Sequence, residues 1–219
     1  MVYLENLQSV LSVTVSVSTI LQFLSGVLVC KKIVERKSSG DISPVSFICG
    51  HLSTSLWLRY GFLIDNFSVI FVNSIGCLLF LSYTIIYGYY TIKKVILWRQ
   101  FYISCTVLLL ILAYSTYYRH DSDLQQNMGI ICCVVTVIFF ASPLSSAMYV
   151  IKMKNTSSLP FPLIVANFIV ATQWYVYGVL LEDQFIQIPN LLGSLLSLFQ
   201  LLLFCIFPSK KYQSLEDDI

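Results

Sequence analysis

Long runs of apolar residues alternate with short polar segments along the whole chain. A helix needs about 20 mainly apolar residues to cross the hydrocarbon core of a bilayer. Runs of about that length occur seven times, at about 7–30, 43–64, 67–91, 101–118, 127–150, 160–181 and 185–207. The pattern therefore predicts an all-α integral membrane protein with seven transmembrane helices, which we number as spans 1 to 7.

The sequence around the junction of spans 2 and 3 returns at the junction of spans 6 and 7. At a constant spacing of 117 positions, Trp57, Tyr60, Gly61, Leu63, Asn73 and Gly76 recur as Trp174, Tyr177, Gly178, Leu180, Asn190 and Gly193. Such a match in register indicates an internal repeat. Spans 1–3 and 5–7 are predicted to be two copies of a three-helix unit. Span 4 has no counterpart, and because three is an odd number, this extra crossing makes the two copies parallel. We place the copies at 1–92 and 127–208, with the linking helix and its loops at 93–126.

Composition and charge indicate the environment and the orientation. Hydrophobic residues make up 57% of the 219 residues and charged residues 11%, whereas about 25% charged residues is usual for soluble proteins. Of the 13 Lys and Arg residues, 11 follow spans 1, 3, 5 and 7. Positively charged loops stay in the cytoplasm, so we expect an extracellular or lumenal N-terminus and a short cytoplasmic tail at 209–219. The expected location is the plasma membrane, the Golgi or another internal membrane.

Four residues of the repeat are candidates for lining a cavity. Trp57 and Trp174 lie about one turn deeper than the tyrosines near the outer ends and share a helix face with polar residues. Asn73 and Asn190 lie within apolar spans, where an amide has to face protein or water. A helix–helix hydrogen bond is the alternative for these amides. Two amides and two indoles around the axis between the repeats would suit a sugar, because amides bond hydroxyls and flat rings pack against C–H faces.

Several classes of function lack the residues that they require. The chain contains no Ser-His-Asp pattern, no His-Glu-x-x-His motif and no phosphate-binding loop, which argues against an enzyme. The seven cysteines fall in or at the ends of apolar spans, and neither histidine lies near a cysteine cluster. We therefore predict no cofactor and no metal site.

The paired motifs resemble those of the SWEET (saliva-type) sugar transporters, in particular animal-like members. The resemblance covers nearly the whole chain and rests on the motifs Phe-Leu-Ser-Gly26, Leu56-Trp57 with Tyr60-Gly61, Val72-Asn73, Ala141-Ser-Pro143-Leu, Leu159-Pro160-Phe, Trp174 with Tyr177-Gly178, and Ile188-Pro189-Asn190. It implies facilitated, bidirectional sugar movement by alternating access. The implied partners are a small sugar and the lipid bilayer, with no nucleic acid, and formation of a homo-oligomer stays open.

The resemblance also implies roles for individual residues. Its substrate-binding positions are Asn73, Asn190, Trp57, Trp174, Ser53, Val170, Gln22 and Phe139. Tyr60 and Asp183 match a pair that closes the outer gate. Of four hinge prolines in the family, Pro143 and Pro160 are present. Gly26 stands in place of the hinge proline of span 1. Ser46 stands in place of the hinge proline of span 2, with Pro44 two residues earlier, so it is open whether span 2 keeps its hinge.

The sequence also predicts the size of the sugar and the mode of its transport. Gln22 and Phe139, which are 117 residues apart, are larger than Val or Ser and would narrow the cavity. This predicts a hexose site that excludes disaccharides, unless Phe139 turns into a helix contact. Every Asp and Glu falls at or beyond the end of a span, which favours a uniporter over a proton-coupled carrier.

Two other functions remain as alternatives. A seven-helix receptor would have the same topology, but it gives no reason for a three-helix repeat. A proton-coupled lysosomal amino-acid exporter of the same superfamily would carry Pro-Gln dipeptides, which this sequence lacks.

Overall fold

The computed structural model describes residues 2–209, with side chains described from Asn6 onward. This part of the chain is helical and contains no strand. Its helices are α1 (Val2–Arg36), α2 (Val45–Leu63), α3 (Phe67–Tyr90), α4 (Lys94–Tyr117), α5 (Leu124–Phe139), α6 (Ala141–Met153), α7 (Phe161–Leu180) and α8 (Gln184–Ile206). Only Phe140 separates α5 from α6, so these two helices form one bent span. The prediction of seven spans is thus confirmed, with the fifth span broken near its middle. Apart from Ser209, the expected cytoplasmic tail lies outside the described residues.

The helices differ from the predicted spans at three places. The first helix continues to Arg36, and α4 begins at Lys94, seven residues before the predicted start. Six spans of the described chain are long and apolar enough to cross a membrane by length and composition, and α2 is the one that falls short. Its polar residues include Ser46, His51, Ser53 and Arg59. Polar residues are tolerated at membrane depth where a helix faces protein or a cavity, and α2 packs against α3, α4 and α5.

The helices form two groups with the same internal arrangement. In the first group, α3 packs against both α1 and α2; in the second, α8 packs against both α7 and α5–α6. Between the groups, α1 contacts α7 and α2 contacts α5. These two contacts are equivalent under the 117-residue spacing. The unpaired α4 packs on the outside of the bundle against α2, which agrees with its expected role as a linker between parallel repeats.

Tight turns join α2 to α3 and α7 to α8 at one end of the bundle. Four non-glycine residues in the described chain have positive φ, and they form two pairs at the repeat spacing: Lys37 with Lys154, and Asp65 with Glu182. After the second pair, the backbone N–H groups of Asn66 and Asp183 donate to the carbonyls of Gly61 (3.1 Å) and Gly178 (3.0 Å). A Cβ atom on either glycine would lie 3.1 or 3.0 Å from a backbone nitrogen of the next helix. Glycine therefore permits the close packing that sets the position of Asn66 and Asp183.

The four expected hinge positions lie in different local structures. Helix α1 runs without a break through Gly26. Pro143 lies in the first turn of α6, just after the break at Phe140. Pro44 and Pro160 directly precede α2 and α7. Prolines are well tolerated at such starts because the first N–H groups of a helix have no intrahelical acceptor.

Gly26 has a packing role in α1 that its sequence position did not predict. A Cβ atom there would lie 2.4 Å from the ring of Tyr83, whose hydroxyl donates to the carbonyl of Phe23 at 3.1 Å. The counterpart of Tyr83 in the second repeat is Gln200, whose amide donates to the carbonyl of Pro143 at 3.0 Å. Both repeats therefore fasten this part of the first helix to the third, with different side chains.

Gly26→Val is expected to destabilise the protein, because the added side chain would displace the buried Tyr83 ring. Overpacking of this kind typically costs about 1–3 kcal/mol. The measurement is thermal unfolding of the purified protein in detergent, with Ser25→Val at the exposed neighbouring position as control. Equal melting temperatures for the two variants would contradict the contact.

Candidate functional site

A cavity of about 860 Å³ lies between the two helix groups. Six of the eight predicted substrate-binding residues line it: Asn73, Asn190, Trp57, Trp174, Ser53 and Phe139. The other lining residues are mostly apolar, with Thr19, Thr54, Ser46 and Ser142 adding hydroxyl groups. Sites for small molecules have volumes of about 300–1,000 Å³ and combine an apolar wall with a few polar groups. The cavity fits that description.

Hydrogen bonds between the repeats fix the orientation of both cavity tryptophans. The indole nitrogen of Trp57 donates to the hydroxyl of Thr136 at 3.1 Å, and that of Trp174 donates to the hydroxyl of Thr19 at 2.9 Å. Each threonine hydroxyl donates in turn to the carbonyl four residues earlier in its own helix, at 2.8 and 2.6 Å. Since the hydroxyl proton is used in this way, the oxygen is left to accept from the indole. The two bonds are related by the repeat spacing and hold the rings edge-on to the partner repeat.

The two asparagines line the cavity, and neither of their amide nitrogens bonds another helix. The amide nitrogen of Asn73 donates to the carbonyl of Val69, and that of Asn190 to the carbonyl of Ile186, both at 2.8 Å within the same helix. These bonds hold the side chains along their own helices and leave each amide oxygen as an acceptor on the cavity wall. Asn73 is itself buried, with 8% of its surface exposed.

At one end of the cavity, a tyrosine on α2 bonds to the start of α8. The hydroxyl of the fully buried Tyr60 donates to one carboxylate oxygen of Asp183 at 2.7 Å. The other carboxylate oxygen accepts from the backbone N–H groups of Phe185 (2.9 Å) and Ile186 (3.1 Å). Asp183 thus caps the N-terminus of α8, where a negative charge is favourable. The cap holds the carboxylate where Tyr60 can reach it.

The same end is also closed by a second pair, at the positions related by the repeat spacing. The amide nitrogen of Asn66 donates to the hydroxyl of Tyr177 at 3.0 Å, and the amide oxygen caps α3 by accepting from the N–H of Val69 at 3.1 Å. Each tyrosine ring also packs edge-on against the cavity tryptophan of its own repeat, with centroids 5.6 and 5.8 Å apart. We call Tyr60–Asp183 and Tyr177–Asn66 the tyrosine pairs. Together with the indoles they form a layer between the cavity and a separate outer pocket of about 520 Å³.

The opposite end of the cavity has no such layer. The lining continues past Asn73 and Phe139 to Pro143, Ser46 and the loop residue Ser43. This end of the bundle carries the Lys-rich loops. The structure is therefore closed at the end of the tyrosine pairs and open at the Lys-rich end.

Comparisons with known proteins identify the family. The family model described as "Sugar efflux transporter for intercellular exchange" matches residues 9–95 and again residues 126–212. The chain belongs to the SWEET family of sugar transporters. Members of this family are sugar transporters and not enzymes. With its membrane-spanning helices, this SWEET protein is a multi-pass membrane protein.

Individual relatives and a solved structure agree with the family. The protein named sugar transporter SWEET1 in Drosophila pseudoobscura pseudoobscura is 48% identical over 92% of this chain and 90% of its own. The mouse protein of the same name is 31% identical over 90% of this chain and 91% of its own. A eukaryotic SWEET transporter of known structure superimposes with a TM-score of 0.81 at 25% identity, covering 91% of this chain and 97% of that one.

Two of the predicted substrate-binding residues of this SWEET protein do not line the cavity. Gln22 donates its amide hydrogen to the amide oxygen of Asn167 on α7. Val170 is buried in the bundle, with 8% of its surface exposed. Their repeat counterparts, Phe139 and Ser53, do line the cavity. In this structure Gln22 does not narrow the cavity, because its amide bonds a polar partner on a neighbouring helix.

The sequence analysis missed the partners that hold this SWEET site together. Thr19 and Thr136 were overlooked because threonine in an apolar span is common. Asn66 was not connected with Tyr177, although the pair is related to Tyr60–Asp183 by the same 117 positions. Applying the spacing to the predicted contact between Tyr60 and Asp183 gives the pair Tyr177 and Asn66, whereas no sequence signal identified the two threonines.

Removing the hydroxyl of Tyr60 is expected to open the end of the cavity that the tyrosine pairs close. Tyr60→Phe leaves the cap at Asp183 intact and removes only a hydrogen bond to a charged acceptor, worth about 1.5–3 kcal/mol. In a background without the seven native cysteines, the reactivity of Ser53→Cys toward a reagent added from that end should rise about tenfold or more. Tyr177→Phe should cause a smaller increase, because its partner is a neutral amide.

The control for this experiment is Tyr114→Phe, which removes a hydroxyl that bonds Asn127 and takes no part in either tyrosine pair. Unchanged reactivity of Ser53→Cys in Tyr60→Phe would show that the pair does not control access to the cavity.

Proposed function

We propose that this protein is a facilitative, bidirectional uniporter for monosaccharides that works by alternating access between its two three-helix bundles. The observation that carries the proposal is a cavity between the repeats, closed at one end by paired hydrogen bonds and open at the other. The Lys-rich loops favour a cytoplasmic location for the open end. The N-terminus would then be extracellular or lumenal, in the plasma membrane or an internal membrane.

The chemistry of the cavity supports a sugar as substrate. The amide oxygens of Asn73 and Asn190 can accept hydrogen bonds from sugar hydroxyls, since their amide nitrogens are already bonded within their helices. Trp57 and Trp174 offer rigid flat surfaces to the C–H face of a sugar ring. The hydroxyl of Ser53 adds a donor and an acceptor. The asparagines and the tryptophans come in pairs from the two repeats, so a sugar would contact both repeats at once.

Uniport is supported by the absence of ionisable partners for a proton or a cation. No Asp, Glu, His, Lys or Arg is among the residues that line the cavity in the described part of the chain. The nearest carboxylate with a defined role, Asp183, caps α8 at the closed end. A carrier driven by protons would need a titratable group within the membrane that alternates with substrate binding. The cavity therefore fits passive exchange better than proton coupling.

Alternating access would require the tyrosine pairs to separate while the open end closes. We propose that the repeats, at 1–92 and 127–208, move relative to each other on the linker at 93–126. Pro143, at the break between α5 and α6, is the best-supported hinge. Pro44 and Pro160, at the starts of α2 and α7, would allow those helix ends to tilt. Gly26 weakens α1 locally, although its contact with Tyr83 restricts the motion. The transport path lies within one chain, so a homo-oligomer would add stability or regulation and no part of the cavity.

The uniport proposal predicts sugar counterflow that is independent of a proton gradient. Vesicles with purified protein and a high internal glucose concentration should accumulate labelled glucose transiently, at the same rate with and without a proton ionophore. Lasting accumulation driven by a pH difference alone would contradict uniport. Absence of glucose, galactose and fructose counterflow, in protein that is folded, would contradict monosaccharide transport altogether.

Replacing either cavity asparagine is expected to reduce sugar exchange strongly. Asn73→Ala and Asn190→Ala each remove an acceptor worth about 0.5–1.5 kcal/mol, and more where a buried partner is stranded. The measurement is glucose counterflow at equal amounts of protein in the membrane. The matched control is Asn127→Ala, which removes an asparagine that bonds Tyr114 and does not line the cavity. Normal exchange in both cavity variants would assign these residues a structural role.

Phe139 is expected to determine the size of the accepted sugar. Its ring lies on the cavity wall, where a smaller side chain would leave more space. Close-packed protein interiors are hardly compressible, so a disaccharide cannot push the ring aside. The unmodified protein should therefore exclude sucrose, and Phe139→Val should admit it. Gln22→Val alone should have no such effect, because Gln22 faces Asn167.

The neighbouring Phe140→Val provides a control of equal volume change, since that ring packs against Gly193 and does not line the cavity. Sucrose uptake by the unmodified protein at a rate near that of glucose would contradict the size argument.

A further inference from the structure

The open end of the cavity is lined mainly from one side. Next to the tyrosine pairs, both repeats contribute equivalent residues: Trp57 with Trp174, Val69 with Ile186, and Asn73 with Asn190. Toward the Lys-rich end, most of the wall comes from α2 with its preceding loop and from α5–α6: Ser43, Val45, Ser46, Cys49, Gly50, Ile138, Phe139, Ala141, Ser142 and Pro143. None of the residues 117 positions from these ten, within 160–167 and 21–26, lines the cavity; the rings of Phe23 on α1 and Phe80 on α3 add to this part of the wall. Two equivalent openings would be expected from the repeat, and one is present.

Polar side chains join α1 and α7 along the side that lacks an opening. Gln22 donates to the amide oxygen of Asn167, and the hydroxyl of Ser18, one turn away, donates to the side-chain oxygen of Gln173 at 2.5 Å. The indole of Trp174 bonds Thr19 at the same interface. We call this interface the α1–α7 seam. Three hydrogen bonds between side chains therefore cross it, at successive levels of the bundle.

The equivalent interface between α2 and α5 has lost two of these three bonds. At the positions of Ser18 and Gln173 it carries Val135 and Leu56, and at those of Gln22 and Asn167 it carries Phe139 and Gly50. Leu56 is fully buried in an apolar cluster with which Val135 packs. Apolar contacts hold this seam near the tyrosine pairs, and beyond them Phe139 and Gly50 border the opening.

The difference in chemistry decides which seam can separate. Two amides that part inside a membrane bundle lose their partners unless water enters, and an unpaired amide in hydrocarbon is costly. The corresponding positions Phe139 and Gly50 carry no polar side chain, so a separation there loses only dispersion contacts, which lipid or a sugar can replace. Opening is therefore easier between α2 and α5–α6 than between α1 and α7.

We propose that Gln22 and Asn167 are positioning residues that keep the α1–α7 seam closed, so that sugar enters and leaves the Lys-rich end only between α2 and α5–α6. This inference rests on the proposed transport function. The α1–α7 seam then acts as the fixed side about which the opposite side opens and closes. The predicted substrate position Gln22 acquires a different role, which its counterpart Phe139 does not share.

Thiol accessibility from the Lys-rich side tests the one-sided opening. The native Cys49 lines the opening, and Ala166 occupies the related position beside the α1–α7 seam. With all other cysteines replaced, a membrane-impermeant methanethiosulfonate should modify Cys49 at least tenfold faster than a cysteine introduced by Ala166→Cys. Adding Gln22→Ala should raise the rate at position 166 and leave the rate at position 49 unchanged. The exchange Gln22→Asn with Asn167→Gln, which keeps an amide on each helix, should restore slow modification.

Equal rates at positions 49 and 166 with the amide pair intact would overturn the proposal. A general loss of packing in Gln22→Ala would raise both rates, which would also count against a specific role of the pair.

Cross-linking tests the fixed seam during transport. A short bifunctional thiol reagent joining Gln22→Cys to Asn167→Cys should leave glucose counterflow within about twofold of the unlinked protein. The same reagent joining Ser46→Cys to Ser142→Cys, across the opening, should reduce counterflow at least tenfold. Loss of counterflow through the first link would overturn the fixed seam. A lack of counterflow in every unlinked protein would instead refute the transport function on which the inference rests, while the accessibility rates would still report on the seam.

Discussion

Polar side chains inside a membrane bundle need partners from the protein or from water, and this requirement organises the whole structure. The hydrocarbon core supplies no donors or acceptors, so the amides, hydroxyls and indoles of the candidate site bond their own helix, bond another helix or face the cavity. The hydroxyls of Thr19 and Thr136 each make two such bonds: each donates to a carbonyl of its own helix and accepts from an indole of the other repeat. In the cavity, the amide oxygens of Asn73 and Asn190 remain available to accept hydrogen bonds from water or a sugar.

The closed end depends on bonds weak enough to reverse. Separating Tyr60 from Asp183 and Tyr177 from Asn66 would cost roughly 2–4 kcal/mol, taking one bond to a charged and one to a neutral acceptor. The caps at Asp183 and Asn66 are separate bonds from backbone N–H groups of their own helices and would survive the separation. Two states that differ by a few kcal/mol are both populated to a useful extent. A sugar that bonds equivalent residues of both repeats could therefore shift the balance between them.

Much of the fold could be predicted from the sequence because membrane spans and repeats leave strong patterns. The spacing between Trp57 and Trp174 predicted two copies of one unit, and the family match at residues 9–95 and 126–212 repeats that spacing. The apolar run through α5 and α6 is continuous, but Pro143 cannot donate to the carbonyl of Phe139 four residues earlier, so the break at Phe140 lies where this hinge position would weaken the helix. The family resemblance implied substrate roles for Gln22 and Val170, whereas in this structure neither residue lines the cavity. The two repeats share a backbone arrangement, but corresponding side chains can have different partners. Gln22 bonds Asn167, whereas the corresponding residues Phe139 and Gly50 have no polar side chains.

Distance measurements between spin labels at both ends of the bundle test the central claim most directly. One pair, at the exposed positions Phe62 and Gln184, would report on the end closed by the tyrosine pairs; the other, at Val45 and Leu144, would report on the opening between α2 and α6. Alternating access predicts two populations in a lipid bilayer, with the first distance long only where the second is short, and a shift between them when glucose is added. Two distances that lengthen together would contradict alternating access. Distances that do not change when glucose is added, in protein that exchanges glucose, would contradict it as well.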